Sequence, residues 1–183
     1  MKKITLFFAA LLSFSAAFGQ VLYSETFNSG VMNPNITLFD EDAFPHDPSC
    51  AFVTAAWQIS NRGGEVDSFA ISTSYNLYVA GASPGPSSDW MITPAIAITP
   101  NAFFKWNAKA FDPTYRDLYR VVVATAPTLA AMASGTEVFV SDPAGELNAW
   151  TGHQVSLAAF AGQTVYIGKI GRASCRERVL LMV

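Results

Sequence analysis

Short apolar segments recur along the chain, and glycine, proline, asparagine, aspartate or serine residues separate them. Between Phe104 and Ala110, apolar positions alternate with Lys105, Asn107 and Lys109, which predicts a strand with one buried and one solvated face. Many of these segments are rich in Val, Ile, Phe, Tyr and Trp, which suit a pleated, half-buried surface. The pattern predicts strands at residues 21–27, 51–59, 68–72, 90–98, 102–110, 118–124, 137–140, 153–157 and 163–168.

Helical patterning is confined to residues 128–134 and is barely two turns long. Short strands with turn signals between them are typical of a β-sandwich or jelly roll. The sequence therefore predicts an all-β fold, a jelly-roll β-sandwich with antiparallel sheets. Two loops stand out in this pattern: the long acidic segment at residues 28–49 and the stretch rich in proline, glycine and serine at residues 81–88.

The two ends of the chain differ from this pattern. Lys2 and Lys3 precede an apolar stretch at residues 4–18, and Ala17 and Gly19 supply the small residues that a signal peptidase needs. Residues 1–19 are therefore predicted to be a secretory signal peptide, with Gln20 as the mature N-terminus. The alternative, a transmembrane helix, is disfavoured because the run is short and no stop-transfer charges follow it.

Residues 169–183 hold four of the eleven basic residues of the chain and resemble the conceptual translation of a sequencing adapter. This segment is predicted to be a non-native tail, although a genuine basic tail is the alternative. The native domain is then expected at residues 20–168, and Cys175 lies outside it, which argues against a disulfide with Cys50.

Residues 20–168 contain five basic and thirteen acidic residues, a net charge of −8. An acidic domain repels phosphate backbones, so nucleic acid is excluded as a partner. Acidic loops instead favour hard cations such as calcium, and Asp40, Glu41 and Asp42 are candidate oxygen ligands, with Glu25 or Asp47 completing the shell. The spacing is not that of an EF-hand, and a solvated acidic loop is the alternative.

The sequence contains no Gly-x-Ser-x-Gly elbow, no His-Glu-x-x-His pair and no glycine-rich phosphate loop. His46 and His153 lack ligand spacing and are expected to be surface or internally satisfied residues. We therefore predict no catalytic and no cofactor-binding residue. A pair of carboxylates suited to glycoside hydrolysis stays open, because separation in space is invisible in a sequence.

The four tryptophans allow two interpretations, carbohydrate stacking or core packing. Core packing is favoured for Trp106, which lies in an alternating strand, and Trp90 is expected to share a face with Ile92. Trp57 and Trp150 are left open between the two interpretations.

Residues 88–96, with the sequence SDWMITPAI, resemble the most recognisable motif of the cleaved-adhesin family, also called choice-of-anchor J domains. Other matching segments follow in family order between residues 21 and 168, among them Glu25-Thr26-Phe27, Phe104-x-Trp106-x-Ala108 and the closing residues 161–168. The resemblance implies a jelly roll that is secreted to, or displayed on, the surface of a Gram-negative cell. It also implies that a last strand bearing an acidic pair is missing here.

The function implied by this resemblance is a non-catalytic adhesion or binding module for a carbohydrate or a host protein. Further domains of the same chain are expected, and an accessory domain of a longer secreted protease or glycoside hydrolase is the alternative. Some members of the family bind structural calcium, and the matching ligands here are Glu25, Asp40 and Asp42.

Overall fold

A computed structural model shows two antiparallel sheets packed face to face, as predicted for a jelly-roll β-sandwich. It describes residues 20–61, 67–73, 76, 87–114, 116, 118–171 and the backbone of residues 178–182. The predicted signal peptide at residues 1–19 and most of the loop at residues 81–88 lie outside these ranges. The strands are β1 (Thr37–Asp40), β2 (Gln58–Ser60), β3 (Phe69–Thr73), β4 (Asp89–Ile92), β5 (Ile96–Ala97), β6 (Phe103–Ala110), β7 (Tyr119–Ala124), β8 (Thr136–Val140), β9 (Thr151–Ser156), β10 (Thr164–Gly171) and β11 (Arg178–Met182).

The first sheet has the strand order β1-β4-β10-β7-β8, with β5 also paired to β10. The second sheet has the order β2-β3-β11-β6-β9. The strands β1 and β2 therefore end the two sheets, and so do β8 and β9. A short helix, α1 (Leu129–Ala133), follows β7 and is capped by the Thr128 hydroxyl, which accepts a hydrogen bond from Ala131 N at 3.2 Å.

Alternation along the strands divides the core into layers. Met91 packs between the two sheets, in a cluster that also contains Trp57 and Trp106. Trp90 and Ile92 point to the other face of β4, where they pack in a cluster with Met132 of α1. The expectation that Trp90 and Ile92 share a face is confirmed, because successive side chains of a strand lie on opposite sides of the sheet. In the described part of the chain, no helix is long and apolar enough to cross a membrane.

The predicted strand at residues 21–27 is wrong, because the segment pairs with no strand of either sheet. The Glu25 carboxylate accepts a hydrogen bond from Phe27 N at 2.8 Å, and Phe27 has a φ of 59°. These local bonds turn the backbone away from a ladder. Conversely, β1 lies inside the predicted acidic loop, where it pairs with β4.

Three further strands differ from the prediction by more than two residues, and the one predicted at residues 51–59 is reduced to β2 (Gln58–Ser60). The strand predicted at residues 90–98 is divided into β4 and β5, because Pro94 between them has no N–H for a ladder. The strand predicted at residues 163–168 continues to Gly171, and Ile170, which is only 3% exposed, pairs with Trp90 on one side and Arg120 on the other. Ile170 thus packs within the fold although it was assigned to the tail.

The absence of a last strand with an acidic pair stays a prediction, because β11 holds no acidic residue between Arg178 and Met182. The backbone of β11 occupies the position between β3 and β6, and it pairs antiparallel with both. Residues of the adapter-like segment thus fill a central position in the second sheet. The non-native origin of that segment stays a prediction.

Removing the pairing capacity of β11 should open the second sheet. Leu180 lies opposite Ile71 of β3 and Lys109 of β6, so Leu180→Pro introduces a residue without an N–H into a strand paired on both sides. We expect destabilisation of about 3 kcal/mol or more, measured by chemical denaturation. Val183→Pro, one residue beyond β11, is the matched control. Equal stability of the two variants would show that β11 contributes nothing to the sheet.

Candidate cation site

Three aspartates converge where β1 ends against β4. The antiparallel register places Asp40 of β1 directly opposite Asp89 of β4, and Asp42 follows two residues after β1. Carboxylate oxygens of Asp40, Asp42 and Asp89 lie within 4.8 Å of one another. Directly opposed like charges destabilise an antiparallel pair, so this arrangement needs a compensating contact.

Backbone hydrogen bonds hold the three side chains in place. Asp40 Oδ1 accepts from Ala43 N at 2.7 Å, and Asp42 Oδ1 accepts from Phe44 N at 2.9 Å. Asp42 Oδ2 accepts from Ser88 N, immediately before β4. The acidic turn after β1 is therefore tied both to itself and to the start of β4.

Asp89 is the unusual member, because its residue is only 3% exposed. Burial, followed by the negative charges of Asp42 and Asp40, raises the pKa of Asp89 to about 8. The hydroxyl of Ser72, on β3 of the facing sheet, donates to Asp89 Oδ2 at 3.2 Å and acts in the opposite direction. Trp57 Nε1 donates to the Asp89 carbonyl at 3.1 Å, which fixes the backbone at this point.

The donor set of this cluster suits a hard cation. Calcium takes six to eight oxygen ligands from carboxylates, carbonyls and water, and the cluster offers carboxylates with neither histidine nor cysteine in the group. Burial is the main cause of the raised pKa of Asp89, and a divalent cation would offset the second cause, the negative charges of Asp42 and Asp40. The three residues therefore fit calcium, with the remaining ligands to come from water or nearby oxygens.

The structure brings together two of the five candidate ligands and adds another. Glu41 lies outside the cluster and accepts hydrogen bonds from the Ser88 hydroxyl and Trp90 Nε1. Asp40 and Asp42 belong to the cluster, whereas Glu25 does not. Glu25 bonds to Phe27 N and lines a small cavity with Tyr23 and Lys169. Asp89 was missed because it lies in the motif at residues 88–96, outside the acidic loop at residues 28–49.

Three of the four tryptophans are core residues. Trp57, Trp90 and Trp106 are 1–3% exposed. Core packing is therefore confirmed for Trp106, and it is the interpretation that holds for Trp57, which the sequence left open. Trp150 is partly buried and meets Phe69 edge-on at 6.0 Å.

The histidines make internal contacts, as expected. His46 Nδ1 lies 2.7 Å from the Val53 carbonyl, and His153 Nε2 lies 2.9 Å from Glu146 Oε2.

Comparison with solved structures places this fold beside bacterial adhesin domains. The K3 cleaved adhesin domain of Lys-gingipain from Porphyromonas gingivalis superposes with a TM-score of 0.62 and 15% identity, over 88% of this chain and 94% of that domain. The K1 domain from the same organism gives a TM-score of 0.59 at 17% identity, over 87% and 94% of the two chains. The K2 domain gives 0.55 at 21%, over 87% and 95%. These likenesses show the fold alone.

No protein-family model matches the chain, and no curated protein matches it in sequence.

The buried Asp89 should make stability fall as pH rises in the absence of divalent cations. Its folded-state pKa of about 8 lies above the ordinary value of 3.8, so the native state keeps a proton that the unfolded chain loses. Stability is therefore lost between about pH 4 and pH 8. In chelator, Asp89→Asn should remove this slope and be more stable than the unsubstituted protein at pH 8, by on the order of a few kcal/mol.

The measurement is urea denaturation of both proteins at intervals from pH 4 to pH 9. Asp67→Asn is the matched control, because Asp67 is exposed. Parallel pH profiles for Asp89→Asn and the unsubstituted protein would contradict the expectation.

Proposed function

We propose that this chain is a secreted or surface-displayed binding module of a Gram-negative bacterium, which attaches to a carbohydrate or a host protein without transforming it. The observation that carries the proposal is the jelly-roll match over nearly the whole length of three cleaved adhesin domains. The motif at residues 88–96 supports the same assignment independently, because it was identified in the sequence.

The contacts of the acidic side chains support a non-catalytic role. Aspartates on loops or at a strand end accept hydrogen bonds from backbone N–H groups two or three residues further along, as in Asp40, Asp42, Asp47, Asp112 and Asp142. Side chains used in this way stabilise turns. A general acid or base needs instead a position from which it reaches a reacting proton.

Structural calcium is part of the proposal, with Asp40, Asp42 and Asp89 as the protein ligands. The cation would join the turn after β1 to the start of β4 and offset the cost of ionising a buried carboxylate. Calcium would thus stabilise the edge of the first sheet without taking part in any reaction.

The alternative function, an accessory domain of a longer secreted protease or glycoside hydrolase, is favoured by one observation. The three similar structures are named as domains of a larger protein, Lys-gingipain. Long-read sequencing of the gene beyond the codon for Gly171 decides this point. A hydrolase signature downstream would support the alternative, and a stop codon or a sorting segment alone would contradict it.

A binding module should retain its ligand unchanged. We expect the purified chain to bind at least one member of an immobilised glycan array or of a set containing collagen, fibronectin and fibrinogen, with no cleavage detected by mass spectrometry. The Leu180→Pro variant serves as a misfolded control for non-specific adhesion. Hydrolysis of a glycan or peptide that a single carboxylate substitution abolishes would overturn the non-catalytic assignment.

Calcium should stabilise the native state, because a ligand that binds only the folded protein raises the free energy of unfolding. We expect Tm to fall when EDTA is added and to recover with excess calcium. This shift should disappear in Asp42→Asn and persist in Asp67→Asn, whose side chain lies outside the cluster. An unchanged Tm at saturating calcium would remove the cation from the proposal.

A further inference from the structure

A second polar site lies at the other edge of the sandwich, where β8 and β9 end the two sheets. An open cavity of about 380 Å³ is found there, and we call it the β8–β9 cleft. It is lined by residues of β8, β9 and their connecting loop together with one arginine, among them Arg116, Phe139, Asp142, Glu146, Thr151 and His153. The cleft is distinct from the aspartate cluster and shares no residue with it.

A chain of hydrogen bonds connects two lining residues of the cleft, Glu146 and His153, to the buried side chains of Tyr119 and Trp106. Trp106 Nε1 donates to Tyr119 Oη at 3.0 Å, and the Tyr119 hydroxyl donates to Glu146 Oε2 at 2.9 Å. The same oxygen lies 2.9 Å from His153 Nε2, while Glu146 Oε1 accepts from Leu147 N at 3.0 Å. Both oxygens of this carboxylate are therefore used within the protein, and Glu146 acts as a positioning residue.

Glu146 determines which ring nitrogen of His153 remains available. An ionised carboxylate can only accept hydrogen bonds, so the contact between Glu146 Oε2 and His153 Nε2 requires a proton on Nε2. In the neutral imidazole the lone pair is then at Nδ1. His153 Nδ1 makes no hydrogen bond to any residue that the structure describes. His153 lines the cleft, and its neutral imidazole offers one acceptor nitrogen, Nδ1, because the hydrogen bond to Glu146 fixes the tautomer.

Aromatic packing also fixes the orientation of this ring. The β6–β9 register places His153 opposite Trp106, and the two rings stack at 5.2 Å with an interplanar angle of 22°. Phe139 of β8 meets the imidazole edge-on at 5.1 Å. The His153 ring is therefore packed between Trp106 and Phe139, and its rotation would break both contacts.

The β8–β9 loop at residues 141–150 is equally constrained. Gly145 has a φ of 80°, and a Cβ there would lie 2.2 Å from the Arg116 carbonyl oxygen, so only glycine allows the loop to approach this closely. Asn148 Nδ2 donates to the carbonyls of Ala110 and Phe111 at 2.8 and 2.7 Å. A site that is fixed before binding loses little entropy when its ligand arrives.

The chemistry of the lining points to a ligand with many hydroxyl groups. Arg116 offers donors, Asp142 and His153 offer acceptors, Thr151 offers both, and partly buried Phe139 offers an apolar surface. A polyanion would meet the carboxylates, and a purely apolar ligand would strip water from polar groups without replacing their hydrogen bonds. A sugar ring combines polar edges with an apolar face and satisfies both requirements.

We infer that the β8–β9 cleft binds a neutral saccharide and that His153 Nδ1 accepts a hydrogen bond from one of its hydroxyl groups. The inference rests on the proposed function and adds to it a site and a ligand class. Glu146 and Tyr119 hold the imidazole in position and do not touch the sugar.

The test uses the full chain with cellotriose, xylotriose, mannotriose, maltotriose and β-1,4-galactotriose as soluble probes. We expect at least one to bind in calorimetry, and His153→Phe, which keeps an aromatic ring on Trp106, should weaken that binding about tenfold or more. Gln154→Ala is the matched control, because Gln154 is the exposed neighbour on the opposite face of β9. Its affinity should stay unchanged.

A second measurement needs no variant and covers the case in which His153→Phe fails to fold. Nitrogen chemical shifts of the unsubstituted protein should show the Nε2–H tautomer of His153, and Nδ1 should shift on titration with the bound trisaccharide. If a trisaccharide binds without shifting the Nδ1 signal, and His153→Phe binds it as tightly as the unsubstituted protein, the assignment of the binding site to the cleft is overturned. The proposed function would still stand. Failure of all five probes to bind would also overturn the cleft, whereas the proposed function is judged separately on the array.

Discussion

The Tyr119 hydroxyl connects the two sheets and the β8–β9 loop by directional hydrogen bonds, whereas apolar packing alone is not directional. Tyr119 is fully buried on β7 of the first sheet, and its oxygen accepts from Trp106 on β6 of the second sheet. It then donates to Glu146 on the loop between β8 and β9. Burial raises the pKa of Tyr119, so the hydroxyl keeps its proton as a donor. Because an unpaired polar group in a core is costly, these hydrogen bonds favour the observed placement of the two sheets and this loop.

Two buried carboxylates, Glu146 and Asp89, differ in how the free-energy cost of burying a carboxylate is offset. Glu146 has hydrogen-bond partners at both oxygens, the Tyr119 hydroxyl and His153 Nε2 at one and Leu147 N at the other, so this carboxylate is satisfied within the protein. Asp89 has the hydroxyl of Ser72 but faces two further aspartates, and its pKa is raised to about 8. The first carboxylate therefore suits a permanent structural role. The second is stable in its charged form when an external cation compensates it, which is the physical basis for proposing calcium there.

The sheet order separates these two sites. β1 and β8 lie at opposite ends of the first sheet, so the aspartate cluster and the β8–β9 cleft occupy opposite edges of the sandwich. Edge strands expose unpaired backbone groups and need protection. At one edge the acidic turn is tied to Ser88, and at the other the β8–β9 loop is tied to the ends of β6 and β7 through Asn148 and Ser141. Each edge can therefore serve a separate purpose, a cation at one and a ligand at the other.

Local pattern determined the fold class, β6 with its buried Trp106, the faces of Trp90 and Ile92, and the short helix α1, since each depends on side-chain periodicity within one segment. The acidity of the loop after β1 was also readable, and with it Asp40 and Asp42. Only the tertiary structure decided that β1 is a strand, that residues 21–27 are not, and that Asp89 joins the cluster. It also decided that the His153 ring stacks on Trp106 and lies within hydrogen-bond distance of Glu146. These features depend on register between strands distant in sequence, as in Asp40 opposite Asp89 and Trp106 opposite His153, and a pairing register is set by the whole sheet rather than by either segment alone.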